Sequence, residues 1–545
     1  MASRKTKAGS TNSPDKKLPL NKSIPLGIQH VLAMFAGNIT VPIIVAGVFG
    51  QTPEQKIFLI QMALFVAGVA TIIQTVGYKE IGARLPIVQG TSFAFIPIML
   101  PFKAAGLGAV FTAAFIGGIF QIFIGKVLKP IRHLFPPLVT GIVVLMIGFS
   151  LLKVGFMYAG GGGWLMNNKP EIFANTNHLT VAASVFIVAI FFNLRGKGMA
   201  SAASILIGIV AGFIVAAALG MVNYGKIASA AWFAFPMPLQ YGIDFVPGAI
   251  ILMLFMSVVT TIETIGDISA TTMGGAKREA TDKEISCGIM ADGVGTAFGA
   301  IFNAMPNTSY SQNAGLVAFT GVVSRHVGTI AGIILVLMGL FPKLGGIIAA
   351  MPESVIGGAA IIMFGMIVAA GIKLISRAEM DQRNLLILAL SLSFGIGMSL
   401  LPDFEKNIPD FGISLKLLLT TGLIPAGLLA FILTLIREIT KDIADFEGDQ
   451  IAKYKTYPIR YGIKSAIKLI SFLSFVVCLV ALVPYFNNTY NYWYLIILVI
   501  GVEIPLILVV FLLVKSPKIS SAILSSKILK FSTIMGLLAI YIGSL

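Results

Sequence analysis

The sequence predicts an all-α polytopic membrane protein, and three observations predict it. Of 545 residues, 57% are hydrophobic and only 11% charged. A soluble globular chain carries roughly 45–50% apolar and about 25% charged residues, so too little polar surface remains here to coat a globule in water. About seventeen apolar runs approach the ~20 residues that cross the hydrocarbon as a helix. The basic residues behind the net charge of +16 sit in short loops between those runs, as membrane topology requires. These features exclude an ordinary soluble enzyme, a disordered chain and a collagen. They also argue against a nucleic-acid partner. With Cys287 and Cys478 the only cysteines, a disulfide scaffold is excluded too.

Residues 1–23 are polar and basic (Arg4, Lys5, Lys7, Lys16, Lys17, Lys22), with no apolar core before Ile24. They read as a disordered cytoplasmic tail rather than a cleaved signal. Candidate spans follow near 25–47, 57–77, 83–101, 105–125, 135–152, 179–194, 201–222, 246–271, 286–304, 307–324, 327–341, 354–372, 385–401 and 416–436, about fourteen in all. Three more lie near 466–485, 493–514 and 528–545. Alternate loops collect the cations: Lys79 and Arg84; Lys126, Lys129 and Arg132; Arg195 and Lys197; Lys277, Arg278 and Lys283; Arg325; Lys373, Arg377 and Arg383. The intervening loops hold single lysines, Lys56, Lys169, Lys226, Lys343 and Lys406. The bias places the N-terminus on the cytoplasmic side of a plasma (inner) membrane.

Two spans are broken. One reads Leu85-Pro-Ile-Val-Gln-Gly-Thr-Ser-Phe-Ala-Phe-Ile-Pro97, the other Met305-Pro-Asn-Thr-Ser-Tyr-Ser-Gln-Asn-Ala-Gly315. Both place proline, glycine and hydrogen-bonding side chains at membrane depth, where irregular backbone must be buried in protein or line a wet cavity. They fall near the third and tenth spans. The odd number of spans between them makes two seven-span halves inverted relative to each other, and paired broken helices point to a transporter's central site. Two proline-kinked structural helices are the plainer alternative.

Ionisable groups inside spans are functional candidates. Glu263 and Asp267 are four apart in Thr260-Thr-Ile-Glu-Thr-Ile-Gly-Asp267 and share one helix face. Asp292 lies in Met290-Ala-Asp-Gly-Val-Gly295 and His30 early in the first span. A carboxyl group out of water holds its proton more readily, which lets it carry one near neutral pH. His30 also reads as a satisfied packing residue. Asp267 is expected nearer the inner face, capping its helix or pairing with Lys277. No metal or nucleophile constellation is present, and Gly160 to Gly163 reads as a flexible outer loop.

These motifs resemble the nucleobase–ascorbate transporter family, also called the second nucleobase–cation symporter family, over about residues 20–436. The residues that carry the resemblance are Gly27-Ile-Gln-His-Val-Leu-Ala-Met34, Gln89-Gly-Thr-Ser-Phe93, Glu263-Thr-Ile-Gly-Asp267, Ala291-Asp-Gly293 and Gln312-Asn-Ala-Gly-Leu-Val-Ala-Phe-Thr-Gly321. The last fits the family signature Gln/Glu/Pro-Asn-x-Gly-x-x-x-x-Thr-Arg/Lys/Gly. The resemblance implies fourteen spans as two inverted seven-span repeats. Spans 1–4 and 8–11 would form a core domain, and spans 5–7 and 12–14 a gate domain that also mediates a homodimer. Spans 3 and 10 would each contain a short strand and a half-helix. It further implies nucleobase symport with protons or, in some members, sodium, by an elevator-like movement of core against gate. The substrate would be bound by Phe93, Glu263, Ser311 and Gln312. Supporting or coupling roles would fall to His30, Gln89, Asp267, Asp292, Asn313, Gly315 and Thr320.

The side-chain chemistry agrees with that reading. A purine is a flat heterocycle with alternating donors and acceptors. Phe93 can supply a stacking face, Glu263 can accept ring N–H, and the Gln312 amide suits an adjacent C=O/N–H pair. Members with Gln at the position of Gln312 tend to carry xanthine or urate and those with Glu uracil. Ala314, where many purine members have a second Asn, leaves the oxidised purine open.

After about Leu435 the pattern changes. Arg437-Glu-Ile-Thr-Lys-Asp-Ile-Ala-Asp-Phe-Glu-Gly-Asp449 and the apolar runs behind it resemble the second aspartate-rich motif and trailing helices of UbiA-type prenyltransferases. That resemblance makes Asp442, Asp445 and Asp449 a vestigial magnesium site. An acidic juxtamembrane loop with extra anchors is the alternative. The first aspartate motif is missing, so the segment is expected to carry no enzyme activity. The expectation for the whole chain is a tail (1–23), a transporter (24–436) and a partial UbiA-like segment (437–545). Its function is taken as proton-coupled symport of xanthine or uric acid across the lipid bilayer, without an organic cofactor. Uracil or sodium are alternatives within the class. A passive channel and a membrane prenyltransferase are the competing classes, and Glu263 and Asp292 at membrane depth favour coupled transport.

Overall fold

The computed structural model describes residues 13–131 and 137–400, then 439–451, 456–486, 492–516 and 520–525, with a few single positions between 432 and 535. The expected spans at 416–436 and 528–545 lie almost wholly outside the described residues. The helices in order are α1 (Leu20–Val48), α2 (Pro53–Val76), α3 (Ile96–Met99), α4 (Gly106–Ile131), α5 (Pro137–Ala159), α6 (Gly163–Asn168), α7 (Thr176–Arg195), α8 (Met199–Ala202), α9 (Ser204–Ala218), α10 (Tyr224–Ser229), α11 (Pro247–Thr271), α12 (Asp282–Ile301), α13 (Ser311–Thr320), α14 (Arg325–Gly339), α15 (Pro342–Ala350), α16 (Glu353–Ile375) and α17 (Gln382–Leu400). Two three-residue strands lie among them, β1 (Gln89–Thr91) and β2 (Asn307–Ser309), and further helices follow in the C-terminal segment. Among the described residues, eight helices are long and apolar enough to span a membrane alone. A ninth span forms if α14 and α15, bent by 75°, count as one. The chain is a multi-pass membrane protein.

Both broken spans contain a strand followed by a half-helix. Turns of 3₁₀ helix at Phe93–Phe95 and Leu100–Ala105 flank α3 after β1, and α13 follows β2. The strands pair antiparallel, Gln89 with Ser309, Gly90 with Thr308 and Thr91 with Asn307. So short a ladder leaves backbone groups to be satisfied from the flanking helices, since lipid satisfies none. Pro42 has no N–H, which frees the carbonyl of Asn38 four residues earlier in α1. Thr91 Oγ1 donates to that carbonyl at 2.8 Å, and the Asn38 side chain accepts from Thr91 N at 2.8 Å. Gly90 permits the approach, because a Cβ there would stand 2.7 Å from Asn38 Oδ1 and 2.9 Å from the Tyr310 ring. We expect Asn38→Ala to lower stability by about 1–3 kcal/mol by leaving a buried N–H unpaired. Thermal unfolding of the purified protein in detergent checks this.

The two halves repeat the same device in inverted order. Thr71 of α2 accepts from Gln89 N (2.9 Å) and donates to Gln89 O (3.4 Å). Thr296 of α12 does the same for Asn307, at 3.1 and 3.2 Å. Each of these helices packs against the last helix of the other half, α2 on α14 and α12 on α4. Glycines allow both contacts: a Cβ on Gly68 would meet Gly332 O at 2.5 Å, and one on Gly118 would meet Gly293 O at 2.7 Å. The result is an interlocked inverted repeat of α1–α4 with α11–α14. Within residues 147–369, α7 packs on α9, and Gly148 of α5 lies against Val368 of α16.

Two expectations are corrected. Helix α1 starts at Leu20, inside the segment read as tail, because Pro19 precedes it in an extended conformation and Lys22 and Ser23 are tolerated in a first turn. The adjoining tail residues are also anchored. Arg325 N donates to Pro14 O (2.9 Å), Ser324 Oγ to Lys16 O (2.5 Å), and Asp15 pairs with the Arg325 guanidinium at 2.7 Å. The glycine run is not an open loop either. Gly160, Gly161 and Gly162 are buried and donate to the carbonyls of Phe156, Tyr158 and Met157. They close the end of α5, with φ of +108° at Gly161 and +95° at Gly162, a region that favours glycine.

A second unit comprises His133–Met146 and Ala370–Leu545. Its C-terminal helices Ile463–Phe486 and Ile504–Lys515 pack together, with Ile439, Ile443, Ile470, Val509 and Leu513 buried between them and the 436–443 stretch. Asp445 is exposed and Asp442 half-buried; the side chain of Asp449 lies outside the described residues.

Candidate functional site

The strand pair sets the N-termini of the two half-helices beside each other. Tyr310 N donates to Val88 O (3.0 Å), and Ser92 N to Pro306 O (2.9 Å). The Tyr310 hydroxyl donates to Thr91 O at 2.8 Å. Free N–H groups and the positive end of a helix dipole make such termini natural partners for acceptor-rich or anionic groups.

Helix α11 lies against β2, α13 and the Phe93 turn. It brings Glu263 and Asp267 on one face to the start of α13. Asp267 does not cap its helix or meet Lys277, as the sequence suggested. Its carboxylate accepts from Ser309 Oγ and Ser311 Oγ, both at 2.6 Å, and it is 6% exposed. The correction follows from the fold: β2 and the start of α13 lie directly over this turn of α11. Asp267 therefore ties α11 to β2 and to the first residue of α13. Asp292 of α12, fully buried, accepts from Gln89 Nε2 on one oxygen and from Thr264 Oγ1 on the other. It joins α12, β1 and α11 at one point, and Thr264 stands next to Glu263 in the chain.

His30 of α1 and Asn313 of α13 are both buried. Asn313 Nδ2 donates to His30 O (2.9 Å) and lies 3.0 Å from His30 Nδ1. An amide NH2 cannot accept, so the ring is assigned as neutral with its proton on Nε2.

The remaining groups border open space. Gln312 and Ser311 are exposed and Glu263 partly so. A Cβ at Gly266 or Gly315 would meet nothing within 4 Å, so each of these stretches of α11 and α13 borders open space. Neither Glu263 oxygen has a hydrogen-bond or ion-pair partner among the described residues. Phe93 presents a partly exposed ring. The edge of the buried Phe364 of α16 supports it, 5.5 Å between centroids and 85° between planes. Thr320 is not brought to this place. It sits at the far end of α13, about 13 Å along the axis at ~1.5 Å per residue. There it donates to Leu316 O, and Gly321 (φ +67°) ends the helix.

Hydrogen bonds thus join Gln89 with Asp292, Asp267 with Ser311 and His30 with Asn313 around the strand pair and the start of α13, while Phe93, Glu263, Gln312 and Gly315 lie on the adjoining stretches of chain. The structure adds Asn38, Thr71, Thr264, Thr296, Ser309, Tyr310 and Phe364. We expect Asp292→Leu to cost about 1–3 kcal/mol for each buried donor left unpaired, Gln89 and Thr264. Asp292→Asn, which keeps the shape and one acceptor, should recover most of it. The yield and thermal midpoint of the two variants test this.

The model of a permease family (Xan_ur_permease) matches residues 21–404. The chain is 35% identical over 440 residues to the xanthine permease of Bacillus subtilis, covering 80% of this chain and 98% of that protein. It is 35% identical over 418 residues to the uric acid permease PucJ of the same organism, covering 76% and 92%. Among solved structures, the murine solute carrier 26 family member A9 anion transporter in the inward-facing state superposes with a TM-score of 0.55 at 12% identity. That match covers 78% of this chain and 69% of that one, a likeness of fold alone. The matching family ends before the C-terminal segment, and these relatives lend no support to its prenyltransferase resemblance. They are permeases rather than enzymes. A signature running from Gln312 to Gly321, an inverted repeat interlocked through β1 and β2, and a family match over most of the chain lead to one conclusion: this chain is a permease of the nucleobase–ascorbate transporter family.

Proposed function

We propose that the protein is a secondary active transporter that carries xanthine or uric acid in symport with protons. The observation that carries this reading is the tether of α11 to the N-terminus of α13 through Asp267, Ser309 and Ser311, which brings the helix face of Glu263 to the residue next to Gln312, with the Phe93 turn also against α11. A planar purine suits these groups. Its ring N–H groups find an acceptor in Glu263, its paired carbonyl and N–H find the Gln312 amide, and its face finds Phe93. The names of the relatives and the identity of residue 312 support an oxidised purine over uracil.

Glu263 is the proton carrier in this reading, since an intramembrane carboxyl group without a partner is stable when neutral. Asp267, Asp292 and the His30–Asn313 pair hold the half-helices in place around it. Helices α1–α4 with α11–α14 form the mobile core, and α5, α7, α9 and α16 belong to a gate through which two copies form a homodimer. The N-terminus lies on the cytoplasmic side of the inner membrane. The C-terminal segment serves as an added anchor without prenyl-transfer activity. The test is uptake of labelled xanthine, urate and uracil into transporter-deficient cells with and without a protonophore. Protonophore-sensitive accumulation of xanthine or urate is expected; accumulation of uracil alone would contradict the purine assignment.

A further inference from the structure

The end of α4, the start of α12 and the loop between α2 and β1 border an open cavity of about 480 Å³, lined by Glu80, Lys126, Lys283, Ser286, Cys287 and Met290. None of the six takes part in the site between α11 and α13. The walls are pinned together. Ser286 Oγ donates to Gly125 O at 2.6 Å, Gly82 N donates to Cys287 O at 2.8 Å, and a Cβ on Gly125 would stand 2.6 Å from the Met290 side chain. The charged lining is not neutralised from within. Among the described residues, Glu80, Lys126 and Lys283 make no ion pair. All three are exposed, so charges of both signs border one space and are free to pair with a ligand that enters it.

Helix α4 shows where the space opens. Phe115, Ile119 and Phe123 are 40%, 50% and 59% exposed. Spaced four apart, they form one apolar face, and the exposed Lys126 continues it toward the end of the helix. In a membrane-spanning helix such a face meets acyl chains. A lysine at its end extends its stem along that apolar surface and delivers its ammonium to the headgroup layer. Basic pockets between membrane helices are known to take phosphate headgroups.

The mixed lining narrows the occupant. A bare phosphate would suit Lys126 and Lys283 and oppose Glu80. A choline group would offer Glu80 no hydrogen bond. A phosphodiester that carries a primary amine satisfies all three: its oxygens accept from the two lysines and its ammonium donates to Glu80. We propose that this cavity binds the phosphoethanolamine headgroup of a membrane phospholipid, with its acyl chains along the Phe115–Ile119–Phe123 face. Bound there, the lipid braces α4 against α12, the helix that carries Asp292.

The full-length protein can be exchanged into nanodiscs of equal phosphatidylethanolamine, phosphatidylglycerol and phosphatidylcholine, and the lipid retained after detergent extraction counted by native mass spectrometry. Phosphatidylethanolamine should be enriched over the other two. K126Q/K283Q should lose roughly fivefold retention per lysine removed, and K126R/K283R should keep it. E80Q should abolish the preference for ethanolamine over glycerol headgroups while still retaining phosphatidylglycerol. Thermal midpoints in lipid-free detergent verify that each variant is folded. Equal retention of the three lipids by the native chain, or unchanged retention by folded K126Q/K283Q, would overturn the proposal. So would displacement of the lipid by free phosphoethanolamine as effective as the lipid itself, which would make the ligand a soluble phosphoamine.

Discussion

Glu263→Gln is expected to reach the membrane in normal amount and to lose accumulation against a gradient, leaving internal substrate no higher than external. The amide keeps the length and planarity of the carboxyl group, and Glu263 holds no neighbour that the change would orphan. It borders the open space at Gly266, and the anchoring of α11 falls instead to Asp267 through Ser309 and Ser311. Packing should survive, whereas a proton can no longer be taken up and released at this point. Steady-state uptake of labelled xanthine with and without protonophore reads the effect directly. In the variant the protonophore should change nothing. Full concentrative uptake by the variant at neutral pH would remove Glu263 from the coupling step.

Gln312→Glu should weaken purine binding most among substitutions that leave the fold intact. An ionised carboxylate accepts but cannot donate, so a substrate carbonyl facing the Gln312 NH2 loses its partner. An unpaired polar group in a buried site costs about 1–3 kcal/mol, or roughly 5- to 150-fold in affinity. The side chain is exposed to the open space and its neighbour Asn313 carries the contact to His30, so the helix itself should not suffer. Competition of labelled uptake by unlabelled xanthine, urate and uracil measures the change. Unchanged competition by xanthine and urate would show that this side chain does not read the base.

The broken spans were legible because Gln-Gly-Thr-Ser and Ser-Gln-Asn at membrane depth have no use in a plain helix, and the inversion followed from the odd number of spans between them. The pairing of β1 with β2 was not, since three residues carry no alternation pattern. The threonines that bracket the strands, Thr71 and Thr296, were hidden for a related reason. A threonine in an apolar helix commonly satisfies its hydroxyl on the carbonyl four residues back, and nothing local distinguishes one that reaches across to a strand. Asp267 was misplaced because hydropathy locates a residue only by its distance from the end of its own run. It takes no account of a half-helix folding back over it. Asn38 could have been found: a polar residue four before Pro42 marks a freed carbonyl that something must satisfy. Phe364 gave no signal at all, being one apolar residue in an apolar span.

A proton gradient is proposed to drive purine transport by this chain. Purified protein reconstituted in sodium-free proteoliposomes, with an inwardly directed proton gradient imposed, tests it most directly. Labelled xanthine or urate should rise transiently above its equilibrium level inside the vesicles, and the overshoot should vanish with a protonophore and in Glu263→Gln. Uptake that only equilibrates whatever the pH difference, or an overshoot that appears only with a sodium gradient, would contradict the account.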